Sequence, residues 1–160
     1  MANIRIGFGS DLHRLDDSLP LIIGGITIPH DKGCVGHSDG DALIHAICDA
    51  ILGAANLRDI GTHFPDTSSE NKNRASRYFL DKTMIMLHEK GFIIGNIDCT
   101  INLQKPKLQE YIPHMKSFLA ELMQIKEDQI SLKAKTGEHI GIIGRQEAIS
   151  VECVVLIEKH

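Results

Sequence analysis

The chain has 160 residues with 17 Lys plus Arg against 21 Asp plus Glu, a formal net charge of −4 at pH 7 with neutral histidines. At roughly 150 residues per domain this predicts one domain, 1–160, large enough for a core without disulfides. The acidic balance argues against a chain that coats nucleic acid or anionic membrane, and the absence of Trp with 4% aromatics leaves few surfaces for stacking bases.

From the N-terminus, Asn3 to Ser10 alternates, with Ile4, Ile6 and Phe8 on one face of a half-buried strand that runs into Asp11, Leu12 and His13. Leu21 to Ile28 is β-rich and broken by Gly24-Gly25, the signature of a tight turn between short strands. After Pro29 the pattern is loop. Asp39 to about Asn56 is helical and apolar almost all round, with Ser38 as candidate N-cap and Asp41 as its acidic partner three residues on. Asp59 to Asn73 is rich in Gly, Pro, Asp, Thr, Ser and Asn and is expected to be a long mobile loop. Arg74 to Lys90 reads as an amphipathic helix closed by Gly91, and Phe92 to Leu103 as a strand leading to the Lys105-Pro106-Lys107 loop. A helix from about Tyr111 or Ile112 to Ile125 follows, then strands at Ile130 to Thr136 and Glu147 to Glu158, the latter with Ile149, Val151, Cys153 and Val155 on one face.

The opening and closing strands lack regular β-α-β alternation, which favours a two-layer α+β fold: a mixed sheet with helices on one face. So short a chain has no third layer to cover the other face, and symmetric association would hide it. Cys34, Cys48, Cys99 and Cys153 lie far apart with no C-x-x-C pair, and no signal peptide precedes the first strand, so they are expected as reduced thiols of a cytoplasmic protein. Every apolar run is interrupted short of the ~20 residues that cross a bilayer.

Nine histidines direct attention to metal or phosphate chemistry. Asp11 and His13, two apart at a strand end, project to the same side. His45 shares a helical stripe with Asp41 and Asp49, among apolar neighbours that make an ordinary solvated face implausible. One Asp and two His form a ligand set suited to Zn²⁺ with an open position for substrate; two independently hydrogen-bonded interior histidines explain the residues equally well. His37-Ser38-Asp39 stands at a helix start after Gly36, where free N–H groups favour a phosphate, although a plain N-cap accounts for Ser38 as readily. Lys105 to Lys107 and Lys133 to Glu138 combine cations, turn residues and a carboxylate near strand ends, and Glu138 could take a hard cation such as Mg²⁺. Gly141 to Arg145 only weakly resembles a phosphate-binding turn. No G-x-S-x-G, P-loop or H-E-x-x-H occurs. The residues by themselves indicate a metal-assisted enzyme acting on a phosphorylated small molecule.

In one order the chain carries Asp11-Leu12-His13-Arg14, Leu21-Ile22-Ile23-Gly24-Gly25, His37-Ser38-Asp39-Gly40-Asp41, His45, Asp59-Ile60-Gly61 and Phe64-Pro65-Asp66. As a set over nearly the whole length, these resemble the 2-C-methyl-D-erythritol 2,4-cyclodiphosphate synthase family. The resemblance implies a homotrimer with active sites between adjacent subunits, closing 4-diphosphocytidyl-2-C-methyl-D-erythritol 2-phosphate to the cyclic diphosphate with release of CMP in the non-mevalonate isoprenoid route. It implies zinc on Asp11, His13 and His45, a second divalent ion (Mg²⁺ or Mn²⁺) on Glu138, and phosphate stabilisation by His37 and Thr136. Substrate contacts are implied for Leu12 and Ser38, and for the methylerythritol end at Asp59, Ile60, Gly61, Phe64, Pro65 and Asp66. The implied cytidine pocket comprises Leu103, Gln104, Lys105, Pro106, Lys107, Leu108 and Gln109 with Ala134, Lys135 and Thr136, and Arg145 is placed near the phosphates. Lys135, Gly137, His139, Ile142 and the run Gly144-Arg145-Gln146-Glu147-Ala148 depart from the family pattern, at nucleotide contacts and at an axial cavity that in the family can hold an isoprenoid diphosphate. A zinc hydrolase and a non-catalytic trimer binding cytidine nucleotides or isoprenoid diphosphates are the competing expectations.

Overall fold

The computed structural model describes residues 3–65, 67 and 74–160. A five-stranded sheet has the order β4 (Lys32–Cys34), β1 (Ile4–Asp17), β7 (Ala148–Lys159), β5 (Phe92–Asn102), β6 (Ile130–Lys135). All neighbours are antiparallel except β5 and β6, which makes the sheet mixed. The hairpin β2 (Leu21–Ile23) and β3 (Ile26–Ile28) stands apart, turned by Gly24 and Gly25 at φ +59° and +76°, the two positive values such a tight turn demands. Helices α1 (Ala42–Ala54), α3 (Arg77–Glu89) and α4 (Ile112–Met123) form the second layer. The predicted α+β architecture is therefore observed.

The alternation predicted for β1 holds, but its sides are reversed. Ile4, Ile6 and Phe8 are 50%, 70% and 62% exposed, while Gly7 and Gly9 face α1. The glycines let the helix backbone rest on the strand: a Cβ on Gly9 would lie 2.1 Å from the Ala46 carbonyl oxygen. On β7, Ile149, Val151, Cys153 and Val155 are fully buried as expected. All four cysteines are free and buried, and burial pushes the Cys34 and Cys48 thiols up to about 12.

Three local expectations are corrected. The loop after Pro29 contains β4, three residues held against Leu15, Asp16 and Asp17 of β1. Helix α1 starts at Ala42, not Asp39, because Asp41 rather than Ser38 caps it: the Asp41 carboxylate accepts from Ile44 N (3.1 Å) and from Gly24 N and Gly25 N (2.9 and 2.7 Å), pinning the hairpin turn to the helix. The segment expected as loop opens with the one-turn helix α2 (Ile60–His63), capped by Asp59 through Thr62 N (2.8 Å). The rest of that expected loop, 66 and 68–73, and with it Asp66, lies outside the described residues. Among the described residues no helix is long and apolar enough to cross a membrane.

Candidate active site

Within β1, which runs on to Asp17 through its pairing with β4 instead of ending near Asp11 and His13 as expected, and on the face of α1 that meets it, a cleft is lined by Asp11, Leu12, His13, His37, Ser38, His45, Asp49, Ile60, Gly61 and Phe64, joined by Arg14, Val35, Gly36 and Phe79. Asp11 and His13 share a strand face as their spacing requires, and His45, one helical turn after the Asp41 cap, comes to them from α1. His13 Nδ1 and His45 Nδ1 approach one atom, Asp11 Oδ2, at 2.9 and 3.1 Å. Burial works to raise the Asp11 carboxyl, but the two imidazoles outweigh it and hold Asp11 down at about 2. Burial likewise opposes a charged His45, yet Asp11 raises it above its ordinary value.

These residues fit a divalent cation. Their donor atoms lie within 4.8 Å of one another, the only such group of His, Cys, Asp or Glu among the described residues. Four-coordinate zinc with bonds of ~2.0–2.1 Å separates neighbouring donors by roughly 3.3 Å, close to the distances seen. His13 Nδ1 is buried and has no hydrogen bond, although it stands beside the carboxylate. Two independently satisfied interior histidines would not leave that atom orphaned. Around the cluster, the Nε2 of His45 meets Ser76 Oγ at 2.9 Å and Ser38 Oγ at 3.2 Å. Asp49, from the same stripe as His45, accepts from Ile60 N at 2.7 Å and so fixes the Asp59-Ile60-Gly61 segment against the cleft.

A second cleft is lined by Leu103, Gln104, Pro106, Lys107, Leu108, Gln109, Ala134, Lys135 and Thr136. Lys105 is exposed beside it and joined to Pro106 by a cis peptide bond. Gln104 is nearly buried, and its Oε1 accepts from Gly137 N (3.1 Å) and His139 N (3.3 Å). It thereby ties the loop after β5 to the turn after β6, where Glu138 and His139 have φ +47° and +61°. Thr136 Oγ1 donates to Glu138 Oε1 at 2.7 Å. The two clefts share no residue. Across the sheet Asp11 pairs with Val151, Val151 with Ile101, and Ile101 with Ala134, so three strand spacings, roughly 14 Å, separate the cluster from the second cleft.

Some expected residues line neither cleft. Asp59 is turned to Thr62, and Pro65 is exposed. Ile142 lies exposed on the single turn α5 (Gly141–Gly144), and Arg145 is paired with Glu147 at 2.8 and 3.2 Å rather than held out as an anion grip. Conversely, Asp39, Ser76 and Gln104 act on their neighbours in ways the spacing did not reveal. Ser76 was hidden because the helix was expected to begin at Arg74, which placed it inside the helix instead of at the cap.

The fold is that of solved 2C-methyl-D-erythritol-2,4-cyclodiphosphate synthase structures, and its relatives make the chain an enzyme of the cyclodiphosphate synthase class. A model of the YgbB family matches residues 4–158, and the chain belongs to that family. The 2-C-methyl-D-erythritol 2,4-cyclodiphosphate synthase of Parabacteroides distasonis is 54% identical over 156 residues, covering 98% of this chain and 97% of that protein. The enzyme of the same name from Bacteroides fragilis is 53% identical, covering 98% of each. Among solved structures, IspF of Plasmodium falciparum in a CDP complex superposes with a TM-score of 0.86 at 35% identity, covering 98% of this chain and 96% of that one. The bifunctional IspDF from Campylobacter jejuni gives 0.96 at 38% identity; all of this chain matches 43% of that longer one.

Proposed function

We propose that residues 1–160 act as one synthase domain that converts 4-diphosphocytidyl-2-C-methyl-D-erythritol 2-phosphate into 2-C-methyl-D-erythritol 2,4-cyclodiphosphate and CMP, in the cytoplasm, on the non-mevalonate route to isoprenoids. The observation that carries this reading is the convergence of both imidazoles on Asp11 inside a cleft of a chain so similar to named synthases.

The substrate brings its own nucleophile. An oxygen of the 2-phosphate attacks the β-phosphorus, a new P–O bond closes the ring, and the bond to the CMP oxygen breaks with its electrons leaving on CMP. The protein must hold two mutually repelling phosphates in line and stabilise the transferring group. At an effective dielectric of about 20, two unit charges 4 Å apart interact by roughly 4 kcal/mol, and a chain of net charge −4 cannot offset this with its bulk charge. Zn²⁺ on Asp11, His13 and His45, and Mg²⁺ or Mn²⁺ on Glu138, would supply concentrated positive charge against those phosphates when bound. His37 and Ser38 face the same cleft to hold phosphate oxygens, and Leu12, Ile60, Gly61 and Phe64 close around the methylerythritol carbons, with Asp59, Pro65 and Asp66 completing that segment. Leu103 to Gln109 with Ala134 and Lys135 would take the cytidine and Thr136 the adjoining phosphate, while Arg145 would add charge nearby only on leaving Glu147.

One protomer separates the phosphate cleft from the cytidine cleft by the width of two buried strands, so a substrate engaging both is better served by clefts of neighbouring subunits. The open sheet face supports this assembly: Ile4, Ile6, Phe8, Leu12 and Val154 are all exposed there, an apolar patch of the kind that marks an interface. We assign it to a homotrimer, whose axis would offer apolar lining to an isoprenoid diphosphate.

Purified protein given the cytidyl substrate with Zn²⁺ and Mg²⁺, followed by ³¹P NMR, tests the activity. Cyclic diphosphate and CMP in equal amounts are expected. Linear phosphate carrying solvent oxygen would replace the reading with a hydrolase, and bound but unchanged substrate with a binding protein.

A further inference from the structure

We propose that Ser76 is a positioning residue for the cation cluster: held by Asp39, its hydroxyl accepts the Nε2–H of His45 and so leaves Nδ1 of that ring as the free donor. The inference rests on reading Asp11, His13 and His45 as a metal site.

It follows from hydrogen-bond accounting around one oxygen. Asp39 is an acceptor on both carboxylate oxygens. It takes the Ser76 N–H on Oδ2 at 2.9 Å and the Ser76 hydroxyl proton on Oδ1 in a short contact. A hydroxyl has a single proton to give. With that proton committed to Asp39, Ser76 Oγ can only accept toward His45, and the 2.9 Å contact to Nε2 requires the ring to carry its proton there. Nδ1, 3.1 Å from Asp11 Oδ2, is then the nitrogen whose proton, donated to Asp11 in the metal-free ring, a cation replaces. Ser38 Oγ, at 3.2 Å from Nε2, is the longer and less constrained partner.

Two further observations point the same way. Ser76 occupies the cap position of α3 yet its side chain makes no capping bond to the helix, so its hydroxyl is not needed there. It is also completely buried, and Asp39 N donates to Arg74 O at 3.3 Å, so both residues are locked by backbone as well as side chain. A ring held by a shared, buried acceptor cannot rotate or change tautomer without breaking that bond, which is how an outer partner raises a ligand's fitness for a metal.

The test uses Zn²⁺ as probe on the full chain, with affinity read by chelator competition. Wild type is expected to bind, and Ser76→Ala to bind with the same stoichiometry but 10- to 100-fold more weakly, a larger loss than Ser38→Ala gives. Asp39→Asn also weakens binding, because its amide would donate to Ser76 Oγ, turn the hydroxyl proton toward Nε2 and drive the His45 proton onto Nδ1. The ¹⁵N imidazole spectrum of zinc-loaded wild type should show zinc on Nδ1 of His45 and a protected Nε2–H. Unchanged affinity in Ser76→Ala, or zinc on Nε2 in wild type, would overturn the assignment to Ser76 while leaving the metal site intact. A wild-type protein that binds no Zn²⁺ would instead overturn the metal reading on which it stands. The wild-type spectrum decides the matter even where a variant fails to fold.

Discussion

Replacing Gly9 by Ala probes the contact that brings His45 to Asp11. The added Cβ would fall 2.1 Å from Ala46 O and 2.6 Å from Ala50 N, both backbone atoms of α1 that no rotamer change can move. Heavy atoms rest at roughly 3.5 Å or more, so the helix must withdraw from β1 by about 1.4 Å. Overpacking of this kind destabilises by roughly 1–3 kcal/mol, and for a chain of this size each kcal/mol lowers Tm by about 2–4 °C. The same withdrawal carries His45, next to Ala46, away from Asp11, two residues beyond Gly9; a metal site tolerates about 0.2 Å. Calorimetry of the metal-free protein should therefore show a Tm lower by several degrees, and chelator competition a much weakened zinc affinity. Gly53→Ala is the matched control in the same helix, because its Cβ meets nothing closer than Phe8 O at 4.0 Å. Removing a helical glycine there should stabilise by about 0.5–1 kcal/mol and leave zinc binding alone. Wild-type Tm and zinc affinity in Gly9→Ala would refute the seating of α1 on the strand backbone.

Phe8→Asp places a charge in the exposed apolar face of β1; sedimentation should show a trimer falling to monomers, and an unchanged trimer would move the interface elsewhere. Zinc must displace a proton from His45, which Asp11 holds above its ordinary value, so affinity should keep rising as pH increases beyond 6.5 before it levels; a plateau already reached at pH 6 in chelator titrations would contradict this. Gln104→Ala strips the acceptor from Gly137 N and His139 N and should loosen the turn bearing Thr136 and Glu138, lowering kcat/KM about 10-fold or more, whereas Gln104→Glu, which keeps an acceptor oxygen for both N–H groups, should retain most of it in steady-state assays of CMP release.

Much of the fold was legible because it is written in period and punctuation. The alternation of Ile149, Val151, Cys153 and Val155, the Gly24-Gly25 turn and the all-round apolar α1 each state one local structure without help from the rest. What failed was decided at a distance. Which side of β1 faces inward depends on a helix some 40 residues later that needs glycine, not isoleucine, beneath it. Ser38 and Asp41 are equally good caps by local pattern, and only the hairpin turn, whose two N–H groups Asp41 also satisfies, separates them. Strand β4 and helix α2 are too short to show a period. In the candidate site, the meeting of Asp11, His13 and His45 was legible as one of two readings because strand and helix geometry project each in a knowable direction, whereas Ser76 meets His45 only through the approach of α3, which no spacing encodes.

The strand register also gives the sheet a polarity that matters for how such a unit is combined with others. Ile4 pairs with Glu158 and Phe92 with Lys159, and Lys159 N donates to Asn3 O, so the beginning and end of the described chain lie side by side. Asp11, seven residues along the same strand, is therefore roughly 24 Å away toward the other end of the sheet, with Asn102 and, beside it, Lys135 of the second cleft near its level. A foreign polypeptide joined at either terminus would emerge from the end of the sheet away from both clefts. Architectural modularity of this sort costs nothing in access to either cleft, and the longer Campylobacter jejuni protein, of which the matching part is 43%, shows that the unit tolerates such a neighbour.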